Sequence, residues 1–199
     1  MALSSLATRH PSVKANFILA AAVAAAGLGL LGRAANAGVS AAWNASPTDG
    51  NWVATGAENN WNSGVATFPG STSGTTDSTT ATFANVSSTT SVTINNSTLN
   101  IKSIAFGAAS TPISAFTIGS TSGNALLLSN GGSISYLADT SAAATETVDA
   151  PLILEGAYTI QNNNATSTNL LNIGGTITNG TGSAQALTIQ GTHTGVNTL

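Results

Sequence analysis

The chain is 199 residues long, with a formal net charge of −3, 6% charged residues and no cysteine. Three of its four basic residues, Arg9, Lys14 and Arg33, lie before position 38. From Gly38 onward seven carboxylates therefore face one lysine, Lys102, and one histidine, His193, a formal net charge of −6. Such a body excludes nucleic acid and anionic membrane surfaces as partners, because both need clustered cations, and zero cysteines exclude a disulfide framework.

Residues 1–37 read as a signal peptide. Arg9 and Lys14 form a positive n-region, Phe17–Leu31 is an uncharged apolar run, and Ala35-Asn36-Ala37 is an A-x-A cleavage site. The run is short for a bilayer span, which needs about 20 apolar residues. The segment predicts a helix that is removed on export. The product would be extracellular or at the outer cell surface, and not an integral membrane protein after cleavage.

Residues 38–84 have their own texture. Trp43, Trp52 and Trp61, the three tryptophans of the chain, are evenly spaced within Trp43-Asn-Ala-Ser-Pro-Thr-Asp-Gly-Asn-Trp52 and Glu58-Asn-Asn-Trp61-Asn-Ser-Gly64. After a Gly/Ser/Thr loop comes Asp77-Ser-Thr-Thr-Ala-Thr-Phe83. A stack of β-coils must cover its first coil or leave a sticky edge, and a polar segment bearing tryptophans suits such a cap. The alternative use of Trp43, Trp52 and Trp61 is a sugar-stacking platform, since aromatic faces pack on pyranose rings.

From residue 85 onward the apolar residues come in pairs two apart: Val92/Ile94, Leu99/Ile101, Ile104/Phe106, Phe116/Ile118, Leu126/Leu128, Ile134/Tyr136, Leu152/Leu154, Tyr158/Ile160, Leu171/Ile173 and Leu187/Ile189. Spacing of two puts both side chains on one face of a strand. Turn formers separate the pairs, at Gly119–Gly123, Asn130-Gly131-Gly132, Gln161–Asn164, Gly174-Gly175 and Asn179-Gly180. No window shows helical periodicity, so the mature chain reads as all-β and ordered.

The stretches Leu128–Ile134, Leu171–Ile177 and Leu187–His193 share a Leu, a Gly and a small hydroxyl residue at matching positions, at unequal offsets. A degenerate repeat of this kind predicts a right-handed parallel β-helix, with coils over residues 85–199. The competing β-sandwich usually carries more aromatic core and more surface charge. The chain stops at Thr194-Gly-Val-Asn-Thr-Leu199 inside a coil-like pattern. It reads as the N-terminal portion of a longer protein, open at its last coil.

The motif Trp…Asp-Gly-Asn-Trp…Asn-Trp…Gly, followed by Asp-x-x-x-Ala-Thr-Phe, resembles the N-terminal region of bacterial autotransporter-associated β-strand repeat proteins. The stretches Asp149-Ala-Pro-Leu-Ile-Leu154, Tyr158-Thr-Ile160 and Leu171-Asn-Ile-Gly-Gly-Thr-Ile177 are similar to their passenger coils. The resemblance spans roughly Ala42 to the C-terminus. It implies a right-handed β-helix that is exported and displayed at the cell surface. Neither the outer-membrane barrel nor the short sorting anchor that ends such proteins is recognisable in this sequence.

Residues able to carry chemistry are few. Asp139, Glu146, Asp149 and Glu155 fall close together, and carboxylates on a β-helix can hold Ca²⁺ or act as a glycosidase pair. No arginine accompanies them, and the Gly-Gly-x-Gly-x-Asp calcium ladder is missing. They read as solvated loop acids. His193, without a Gly-x-Ser-x-Gly elbow or a second histidine, reads as an ordinary coil residue at the position of Ile134 and Ile177. Lys102 reads as a solvent-facing or edge residue. The expectation is a non-enzymatic surface structural or adhesive passenger with no cofactor and no metal, and with surface polysaccharide or other cell-surface components as partners. The alternatives are a carbohydrate-binding module using the tryptophans, or the start of a polysaccharide-active β-helix enzyme.

Overall fold

The computed structural model describes residues 38–109, 111–141, 144–195 and 197–199. The signal peptide expected at residues 1–37 lies outside the described residues. Among those described, every regular element is a strand, as the alternating apolar pairs predict.

Strands β3 (Ser91–Val92), β5 (Thr117–Ile118), β7 (Thr145–Val148) and β10 (Leu170–Ile173) form one sheet in the order β10-β7-β5-β3. Strands β4 (Leu99–Phe106) and β6 (Leu126–Tyr136) are long enough to cover two further faces. The first half of β6 pairs with β8 (Leu152–Leu154) and its second half with β9 (Tyr158–Asn162). A register break between Ile101 and Ser103 divides β4 at the same corner. Below them β11 (Ile177–Asn179) pairs with β8, and β12 (Leu187–Gly191) pairs with β9. Above them β2 (Thr80–Phe83) pairs with β4, and β1 (Ala41–Ala42) with β2.

Each turn of the chain therefore visits three faces in a constant order, and every strand-to-strand pairing is parallel. This is a β-solenoid. Register-matched positions of adjacent coils lie 23 residues apart at Thr80 and Ser103, 30 apart at Ser103 and Ser133, and 40 apart where Ala41 of β1 meets Ala81 of β2.

Register turns the sequence pairs into columns. Leu99, Leu126, Leu152 and Ile177 stack on one face; Ala81, Ile104, Ile134, Ile160 and Ile189 stack on another. Nine of the ten predicted pairs, from Val92/Ile94 to Leu171/Ile173, are buried. Each such Leu or Ile contributes about 1.5–3 kcal/mol through removal from water. The tenth pair differs: Leu187 is only partly buried and Ile189 is 57% exposed, because no described strand stacks beyond β12.

The repeat inferred from Leu128–Ile134, Leu171–Ile177 and Leu187–His193 is not the structural repeat. Leu128 stacks on Leu154, whereas Leu171 stacks on Glu146 and Leu187 on Tyr158. Ile177 sits on Leu152, not in the column of Ile134. Local Gly/Thr likeness marks corners of different faces, since any corner needs a small residue where backbones approach closely.

Candidate functional site

The tryptophans are placed by a polar clasp. Asp49 Oδ1 accepts the backbone N–H of Asn51 at 2.8 Å and the side-chain amide of Asn60 at 2.6 Å; that amide also donates to the Asn51 carbonyl at 2.9 Å. Asn60 Oδ1 accepts the backbone N–H of Asp49 at 3.1 Å. The Asp-Gly-Asn turn and the second Asn-Trp are thereby locked together, with Asn60 fully buried. This gives the sequence motif a local physical role: its polar residues hold the loops from which the indoles descend.

Trp43, Trp52 and Trp61 are each 0% exposed. Trp61 lies 4.9 Å from Trp43 and 5.1 Å from Trp52, ring centre to ring centre, and all three lie within 5.9 Å of Phe83. Phe83 continues inward to Phe106 at 5.5 Å and Phe116 at 5.0 Å. Every indole N–H is used: Trp43 donates to the Thr89 carbonyl, Trp52 to that of Pro69 and Trp61 to that of Trp52. No indole face is open to a pyranose ring, so a sugar-stacking platform of Trp43, Trp52 and Trp61 does not fit this structure. The indoles plug the head of the solenoid instead.

Cap residues also seal the first coil along its edge. Ser71 exchanges backbone hydrogen bonds with Asn100 at 2.8 Å in an antiparallel bridge. Asp77 accepts the backbone N–H and the hydroxyl of Thr79, and the Thr79 hydroxyl oxygen accepts the Gly70 N–H. The antiparallel bridge occupies an edge to which another parallel strand would otherwise add.

The four neighbouring acids are not a cluster. Asp149 lies at the corner facing Gly174, and Glu155 at the corner facing Gly180. Asp139 is bound by the Ser141 N–H and by the side-chain amides of Asn164 and Asn169. Glu146 departs from the expected solvated loop acid: it is 0% exposed and points into the solenoid, because it occupies an inward position of β7. Its Oε2 accepts the Phe116 N–H at 2.9 Å, and its Oε1 has no partner among the described residues. Burial pushes its pKa up to about 8, the Phe116 N–H opposes the rise, and the Asp139 charge adds to it. The buried Tyr136 hydroxyl is likewise raised, first by burial and then by Asp139 and Glu146. Among the described residues no group of three His, Asp or Glu side chains could hold a metal ion.

His193 does not take a core column position. It follows β12 and sits against the Asn162–Asn164 corner, with Nδ1 2.9 Å from the Asn164 carbonyl. Lys102 marks the β4 register break, partly exposed as expected, and its carbonyl accepts the Tyr158 hydroxyl at 2.9 Å.

What remains available is the outer surface. On the face of β2, β9 and β12, two outward columns run across the coils. One is Thr80, Ser103, Ser133, Thr159 and Thr188; the other is Thr82, Ala105, Ser135, Gln161 and Gln190. The sheet of β3, β5, β7 and β10 carries a comparable outward column, Ser91, Thr117, Thr147 and Asn172.

Comparison with protein-family models, with curated proteins and with solved structures found no match to this chain.

Proposed function

We propose that this chain is an exported, non-enzymatic surface protein of passenger type, whose work is structural and adhesive. The observation that carries the reading is the solenoid itself: a plugged, edge-sealed head, a buried and mostly apolar interior, and outward columns of uncharged side chains repeated from coil to coil. Such an object acts by presenting a weak contact many times over, and avidity accumulates without any single strong site. Its most perturbed carboxyl, Glu146, supports this reading over a catalytic one, because it is enclosed by the coils and meets no solvent.

The localisation half is tested by expressing the chain in a Gram-negative host with a C-terminal epitope. Terminal sequencing should find a product beginning at Gly38, and the epitope should be protease-sensitive outside the cytoplasm. An uncut chain retained in the cytoplasm overturns export. The adhesive half is tested by coating beads with the purified protein and measuring retention on cell-wall material; retention equal to that of uncoated beads overturns it.

A further inference from the structure

We propose that the last coil is a self-association surface, through which two copies of this chain stack last coil against last coil about a two-fold axis. This goes beyond the adhesive reading and does not rest on it.

The two ends of the solenoid differ. At the head the outermost strand, β1, is already covered: Trp43 and Trp61 form an antiparallel bridge beside it, and the Ala42 carbonyl accepts the Asn62 N–H at 2.9 Å. Ser71 bridges Asn100 in the same sense. At the other end the inner edges of β11 and β12 lie on β8 and β9, and no described strand pairs with their outer edges. Thr198 covers only β10, through a parallel bridge to Asn172.

This end holds both halves of a self-complementary contact. Ile189 and Leu199 are each 57% exposed. Together with the buried Ile160, Leu171 and Ile173 they line one hollow. Ile189 stacks on Ile160, and the Thr198 carbonyl accepts the Ile173 N–H at 2.9 Å, so the exposed side chains and the hollow belong to one patch.

Charge selects the partner. Strand edges are usually kept apart by lysine, proline or another charged side chain. β12 has none of these, and no Asp, Glu, Lys or Arg occurs from Gly156 to Leu199. His193 sits in this stretch with its Nδ1 against the Asn164 carbonyl. Two copies of this end therefore meet without opposing like charges, whereas a charged partner finds no counter-charge.

The cap then fixes how the copies join. A head-to-tail contact needs the head edge and propagates into a filament; that edge is occupied. Tail against tail uses the same patch twice and closes at two copies. The two-fold axis sets the β12 strands antiparallel, so their free backbone groups pair. It seats Ile189 and Leu199 of each copy against the hollow of the other.

The test is sedimentation equilibrium of the purified full chain over a dilution series. A reversible species of twice the 19.5 kDa chain mass is expected. Ile189→Lys places a charge on the contact at an already exposed position and should weaken dimerisation at least about tenfold. Val65→Lys, at an equally exposed aliphatic position in the cap, should leave it intact. A monomer at every concentration overturns the proposal, and so does a dimer that Ile189→Lys leaves unchanged. A mass that keeps growing beyond two copies overturns the two-fold closure. Dissociation by Val65→Lys alone assigns the contact to the head and overturns it too. If Ile189→Lys loses its β-sheet circular dichroism, Leu199→Lys is read in its place, with the same outcomes.

Discussion

Phe116 donates its backbone N–H to Oε2 of Glu146 at 2.9 Å, across one coil of the solenoid, with the carboxyl sealed from solvent. Register places Leu171 on the other side of Glu146. An acid thus occupies a column position that chemistry assigns to a hydrocarbon, and it is held there by a single backbone hydrogen bond. With a folded pKa of about 8 against an ordinary value of 4.5, Glu146 keeps its proton in the fold over a range where the unfolded chain has lost it. The unfolded state then binds fewer protons, so stability falls as pH rises from about 4.5 to about 8 and levels off above that. At about 1.4 kcal/mol per pH unit the loss is on the order of 5 kcal/mol. Thermal melting across this range should show the decline. Glu146→Gln, which keeps an acceptor for Phe116 without a titrating proton, should flatten it. An unchanged pH profile in that variant would assign the decline to other groups.

The aromatic plug predicts a stability phenotype. Trp52→Ala removes an indole that touches Trp61 and Phe83 and bonds the Pro69 carbonyl. Truncation of a buried tryptophan costs about 3–5 kcal/mol, so the melting midpoint should drop by many degrees. Retention on cell-wall material per folded molecule should stay the same. Lost retention at unchanged stability would restore the sugar-binding role for the tryptophans.

The clasp beneath the plug gives a smaller, separable effect. Asn60→Ala deletes hydrogen bonds to Asp49 and Asn51 and strips the Asp49 carboxylate of a charge-assisted partner. A buried polar group left unpaired costs about 1–3 kcal/mol. A double-mutant cycle of Asn60→Ala with Asp49→Ala should show strong coupling, since the two residues act as one unit; additive losses would mean that they act independently.

Two adjacent glycines should respond differently. A Cβ on Gly132 would lie 1.8 Å from the Lys102 carbonyl oxygen and 2.7 Å from the Tyr158 ring, inside the packed corner where Tyr158 bonds that same carbonyl. Gly131 has φ of 71° and nothing within 4 Å of its virtual Cβ. Gly132→Ala should therefore cost about 1–3 kcal/mol or more through overpacking. Gly131→Asn should be nearly silent, because Asn tolerates the left-handed region. Chemical denaturation of the two variants checks the order.

The alternation of Leu, Ile, Val and Phe was enough to identify strands and to say which side chains face inward, because a period of two is a local property that each strand carries alone. Leu99/Ile101 and Ile134/Tyr136 were legible in this way, and so was the need for a cap ahead of them. The partners of those strands were not legible. Loops of unequal length separate the coils, so Leu171 meets Glu146 and Leu187 meets Tyr158, against the matches that local Gly/Thr likeness suggests. Tertiary stacking also decided the fate of the polar residues. Glu146 went inside because its place in β7 is an inward one, Trp43, Trp52 and Trp61 were enclosed by one another and by Phe83, and scattered Ser and Thr residues were drawn into outward columns on two of the three faces. Amino-acid order determines the face of each residue through backbone geometry, whereas its neighbours from other coils exist only once the chain has closed on itself.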